Sequence, residues 1–185
     1  MKYELWYSVV VRDRNGKVVS RERRRSRSFL KQWNQRVYIQ MSQATLNITD
    51  IDGVSQSCAP YAGAFAMKTE AGYDIGIAVG LASDAVAIDD YALSSLIAEG
   101  TGANQMNYLA CSVATSVVAA PSCSFVVSRA IVNNSGSEIT VREAGIHARI
   151  KANVNGLMTR DVLGTPQAVP NGGTITVDWT LQVTV

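Results

Sequence analysis

Thr174-Ile175-Thr176-Val177-Asp178-Trp179-Thr180-Leu181-Gln182-Val183-Thr184-Val185 alternates without a break. Ile175, Val177, Trp179, Leu181, Val183 and Val185 share one side, and the intervening Thr, Asp and Gln residues share the other. Successive side chains of a strand point to opposite faces, so the pattern predicts a half-buried antiparallel strand with one wet face. Pro170-Asn171-Gly172-Gly173 supplies the turn that precedes it. At the other end of the chain, Tyr3–Val11 is β-branched and aromatic and predicts a second strand. Asn15-Gly16 then signals a hairpin, with Lys17–Ser20 starting the return.

Between these ends the strand signals continue. Ile75–Gly80 predicts a short buried strand, and residues 105–118 and 122–133 predict two long buried strands joined by a turn. Over residues 138–150, Ile139 and Val141 keep one phase and Ala144, Ile146, Ala148 and Ile150 the other. That flip beside Gly145 predicts a β-bulge. One segment, Ser28–Gln43, has helical periodicity: Phe29, Trp33, Val37 and Met41 recur at steps of four with Leu30 beside them, and Ser26 or Ser28 could cap the start. The expected fold is mainly β, an antiparallel β-sandwich or jelly-roll-like body with an N-terminal β-hairpin and one amphipathic helix. Residues 1–43 form the basic hairpin and helix and residues 44–185 the sandwich body, in one continuous structural unit.

Composition limits the function classes. Of 185 residues, 47% are hydrophobic and 17% charged, with Val at 22 positions, which excludes a chain disordered throughout. The apolar run in residues 1–11 is too short for a signal peptide. The charge-free stretch Gly100–Ser128 contains Asn104, Gln105, Asn107 and Pro121, which argues against a membrane span. Cys58, Cys111 and Cys123 form no CxxC pair and are expected to be reduced and mostly buried.

No constellation for chemistry assembles. His147, the one histidine, has no recognisable nucleophile beside it and is expected at a surface or edge. Asp89-Asp90 reads as the start of a helical turn, Asp50-Ile51-Asp52-Gly53 as a turn, and Gly100-Thr101-Gly102 as a loop without a dinucleotide fingerprint. The chain is therefore expected to be no enzyme and to need no cofactor, metal or small-molecule substrate.

Charge distribution is the strongest chemical signal. Residues 1–36 hold 11 Lys/Arg and 3 Asp/Glu, a net +8, and residues 37–185 hold 6 and 12, a net −6. Arg21, Arg23, Arg24, Arg25 and Arg27 concentrate this charge, where the planar guanidinium suits carboxylate and phosphate. Three readings stand: a solvated basic face, a contact with a neighbouring subunit's acidic body, or salt-sensitive contact with nucleic-acid backbone.

Several segments resemble structural proteins of tailed bacteriophages. They are Arg25–Trp33 (RSRSFLKQW), Ile88–Gly102 (IDDYALSSLIAEGTG), Ile131–Ile146 (IVNNSGSEITVREAGI), Leu157–Leu163 (LMTRDVL) and Val169–Val185 (VPNGGTITVDWTLQVTV). Residues 44–74 lie outside the resemblance, and Ala144 departs from it where a larger aliphatic residue is expected. The resemblance implies a β-rich virion component, made in a host cytoplasm and present in many copies in the neck, tail or head surface. It brings no catalytic residues. Its implied partners are copies of itself, other virion proteins and, non-specifically, packaged DNA, with no membrane. An alternative is a surface module for a host receptor or glycan, which predicts exposed loop aromatics such as Tyr61, Tyr73 and Tyr91.

Overall fold

The computed structural model describes residues 2–26, 28–67 and 72–185. The chain opens with β1 (Lys2–Arg12) and β2 (Val18–Ser26), then α1 (Lys31–Ser42) and a small hairpin of β3 (Leu46–Thr49) and β4 (Ser55–Cys58). β5 (Gly76–Gly80) follows, then four short pieces, β6 (Ala98–Glu99), β7 (Gln105–Tyr108), β8 (Ser112–Val113) and β9 (Val117–Ala119). Four long strands complete the chain: β10 (Ser122–Val132), β11 (Ile139–Lys151), β12 (Val154–Val169) and β13 (Thr174–Thr184).

Among the described residues the architecture is mainly β, with one helix and sheets that are antiparallel except for the parallel β6–β7 pair. The larger sheet runs β2-β1-β13-β10-β7-β6, with β8 and β9 also on β10. The smaller runs β12-β11-β5. β13, the strand with the uninterrupted alternation, lies between β1 and β10 and pairs with both along its whole length. Its Ile175, Val177, Trp179 and Leu181 are buried, and each such side chain contributes roughly 1.5–3 kcal/mol by leaving water. Val183 and Val185, at the strand's end, are not buried. Leu5, Tyr7, Val9 and Val11 of β1 join them, and Val141, Ala144, Ile146 and Ala148 of β11 close the same core from the smaller sheet.

The turn between β1 and β2 forms at the Asn-Gly step. Asp13 Oδ1 accepts from Asn15 N (2.9 Å) and Lys17 N (3.0 Å), and Gly16 adopts φ +80°. Asp50 organises its turn the same way, accepting from Asp52 N and Val54 N. The register of β11 on β12 slips by one residue between Ile146 and His147, beside Gly145. A Cβ on Gly145 would stand 2.7 Å from the Thr159 carbonyl oxygen, so the close backbone approach there requires glycine.

Four expectations are corrected. The helix starts at Lys31, and its buried residues are Gln32, Arg36 and Ile39; Met41 of the expected apolar stripe is 81% exposed. Polar partners make that face: Arg36 Nη1 donates to Ala59 O (2.8 Å), Nη2 to Gln40 Oε1 (2.7 Å), and Gln32 Nε2 to Asp90 O (3.0 Å). Neither Ser26 nor Ser28 caps the helix. Both hydroxyls donate to Asp161, and Lys31 N finds the Ile88 carbonyl instead. Residues 105–118 are not one long buried strand but three short pieces, of which β8 and β9 are exposed. Asp89-Asp90 opens no helical turn.

Candidate subunit interface

β2 is a terminal strand of the larger sheet, and its pairing with β1 sorts the basic run. Arg21, Arg23 and Arg25 lie opposite Val10, Ser8 and Trp6, on the sheet's outer face. Glu22, Arg24 and Ser26 lie opposite Val9, Tyr7 and Leu5, toward β12. Strand alternation therefore splits the cluster into an outward row of three arginines and one that turns the other way. All four are exposed; Arg27 lies outside the described residues.

Their partners differ. Arg24 Nε lies 2.8 Å from buried Glu22 Oε1. Its guanidinium also lies against Gly164, where an added Cβ would collide with Arg24 Cζ. Glu22 in turn accepts from Tyr7 OH (2.9 Å), Gly164 N (2.8 Å) and Thr165 N (2.9 Å). Burial first, and then the bond to Glu22, raise the Tyr7 phenol above its ordinary range. Arg24 thus fastens β2 to β12. On the outer face, Arg25 meets Glu4 at 3.4 Å and Arg23 lies over the Trp6 ring, 5.1 Å from its centroid. Arg21 has no partner among the described residues.

The opposite side of the sheet is chemically unlike this one. Over residues 109–121 only Cys111 is buried, and none is charged. Val118 is 79% exposed and Val117 60%, with Leu109 and Val113 also open to solvent. β8 and β9 pair only with β10 among the described residues, so their outer backbone groups have no strand beside them. Sheet edges of folded proteins are ordinarily guarded by charge, as β2 is; β9 is not. Between the two edges the outer face is lined with hydroxyls. There Asp178 accepts from Ser128 Oγ (2.5 Å) and Ser8 Oγ (3.3 Å).

A buried ionic cluster, invisible in the one-dimensional pattern, sits under the loop before β6. Arg160 of β12 is fully buried, with Nε on Glu143 (2.7 Å), Nη1 on Asp90 (2.9 Å) and Nη2 on Asp84 (3.1 Å). Burial alone would lower this guanidinium, but the bonds to Glu143 and Asp90 outweigh it and hold it above its ordinary value. Ser94 N and Ser95 N also donate to Glu143. The cluster ties the loop to β11 and β12. Asp90 therefore serves as an ion-pair partner here rather than as a helix cap.

His147 is not at a surface: it is 1% exposed in the central strand of the smaller sheet, with Nδ1 2.8 Å from the Tyr73 carbonyl. Cys58 and Cys111 are buried, but Cys123 is exposed; all three are free thiols. Of the loop tyrosines, Tyr91 is exposed while Tyr61 and Tyr73 are partly buried. Among the described residues no three His, Cys, Asp or Glu side chains are grouped to hold a metal ion, and no helix is long and apolar enough to cross a membrane. No protein-family model, no curated protein and no solved structure matches this chain.

Proposed function

We propose that this protein is a structural subunit of a tailed-bacteriophage virion, assembled in multiple copies in the neck, tail or head surface. The observation that carries this reading is the pair of unlike edges on one sheet: cationic β2 at one side and the exposed, charge-free 109–121 segment at the other. Unlike edges favour a head-to-tail contact, which repeats around a ring or along a tube.

Magnitudes assign the two edges different tasks. Exposed charge pairs contribute about 0–1 kcal/mol each. Burying Leu109, Val113, Val117 and Val118 contributes up to roughly 1.5–3 kcal/mol per side chain, enough to offset part of the cost of association. The apolar edge supplies affinity, and the arginines of β2 orient the approach toward a neighbour's acidic body and make it salt-sensitive. Other virion proteins and packaged DNA are the further partners of the basic strand.

The test is sedimentation of two variants. Arg21→Ser with Arg23→Ser and Arg25→Ser spares Arg24, which holds Glu22, and is expected to weaken assembly while leaving the fold intact. Val117→Lys with Val118→Lys is expected to leave monomers. Unchanged assembly in both would overturn the reading. A titration with double-stranded DNA at two salt concentrations separates the partners: a steep loss of binding with salt assigns the arginine row to phosphate.

A further inference from the structure

A second feature, independent of the sheet edges, is the chemistry of the Asn-Gly steps. The sequence has three: Asn15-Gly16, Asn155-Gly156 and Asn171-Gly172. In such a step the glycine nitrogen, with no Cβ beside it, comes within reach of the asparagine carboxamide carbon. Folding decides which of the three reacts, because attack requires a mobile carboxamide and a nitrogen released from its own hydrogen bond.

The three environments differ. Asn155 and Gly156 lie within β12, paired with Arg149 and Ala148 of β11, and Gly156 is buried. Asn171 is exposed, but its Oδ1 accepts from Gly136 N (3.0 Å), and Gly172 N donates at 2.7 Å to the carbonyl of buried Asn133. Asn15 is exposed, and its carboxamide has no partner among the described residues. One bond restrains the nucleophile there, from Gly16 N to Asp13 O at 3.0 Å, in a hairpin tip exposed from Arg14 to Lys17. The space around Gly16 is open: nothing stands within 4 Å of where a Cβ would be. The positive charges of Arg14 and Lys17 favour the deprotonated glycine nitrogen.

We propose that Asn15 is a site of spontaneous deamidation, with water as the co-reactant. Hydroxide takes the proton of Gly16 N, and the nitrogen attacks Asn15 Cγ. The new N–C bond closes a succinimide ring, and the Cγ–Nδ2 bond breaks. Ammonia leaves with a proton from water, which regenerates the hydroxide. Water then opens the ring at either carbonyl and leaves aspartate or isoaspartate at position 15; nothing is oxidised or reduced. Both products place a carboxylate between Arg14 and Lys17. Isoaspartate also adds a methylene to the main chain of the turn, where Asn15 N and Lys17 N donate to Asp13 Oδ1. The modification therefore changes charge and shape, with age, at the tip of the basic hairpin.

The experiment incubates the full chain at mildly alkaline pH, folded and in guanidinium chloride, and maps amide-to-acid conversion peptide by peptide with mass spectrometry. In the folded chain position 15 is expected to convert at least roughly tenfold faster than positions 155 and 171, and in denaturant the three rates are expected to converge. Asn15→Gln keeps an exposed amide but lengthens the side chain by one methylene, and is expected to abolish the early release of ammonia from the folded chain. Conversion at Asn155 or Asn171 as fast as at Asn15 in the folded chain overturns the proposal. So does an Asn15 that converts only in denaturant, or undiminished ammonia release from Asn15→Gln.

Discussion

Arg160 shows how much one side chain can decide. With no exposure and three carboxylates around it, it neutralises Glu143, which is equally buried. Arg160→Ala leaves that carboxylate unpaired in the core, and the expected loss is about 3–5 kcal/mol, read as a lower midpoint in urea. His147 sets a pH dependence. Its folded-state affinity for protons is depressed by burial, whereas the unfolded chain takes a proton near pH 6.5. The unfolded state therefore binds more protons just below that pH, and stability falls as pH drops from about 6.5 toward 5. Thermal unfolding across that range should show the loss in the wild type and a flatter profile in His147→Asn. Neither residue's role was legible in the sequence. Glu143 and Arg160 lie 17 positions apart, Asp84 and Asp90 arrive from another loop, and a lone histidine in an apolar strand has the same pattern whether it faces solvent or the interior.

At the scale of the element, the alternation of β13 was readable because one face is buried along most of its length and nothing competes with the two-residue period. The hairpin was readable through Asn15-Gly16, whose glycine takes the positive φ the turn requires. The helix failed in its facing, though not in its existence. Hydrophobic spacing pointed to Met41, but hydrogen bonds to the Ala59 carbonyl and Gln40 draw Arg36 inward, and Ile39 rather than Met41 meets the core. Ile39→Ala is accordingly expected to cost about 2–5 kcal/mol, and Met41→Lys less than about 0.5 kcal/mol, compared by chemical denaturation. The 109–121 segment misled for a related reason. An apolar, charge-free run has the same composition whether it is buried within a subunit or held ready for another.

For the whole molecule, the sequence made the mainly β architecture and the basic-versus-acidic asymmetry legible. It did not reveal that strand pairing separates Arg21, Arg23 and Arg25 from Arg24, nor that the sheet bears its charge at one edge and its exposed valines at the other. That polarity is what makes head-to-tail assembly the favoured reading. The most direct test is the molar mass of the purified 19.9 kDa chain by light scattering at low and high salt. Screening shortens from about 10 Å at 0.1 M to about 3 Å at 1 M, so the arginine contribution is removed while the apolar edge is retained. The expected result is a mass of several subunits at low salt that decreases at high salt. A 19.9 kDa monomer under both conditions would contradict it.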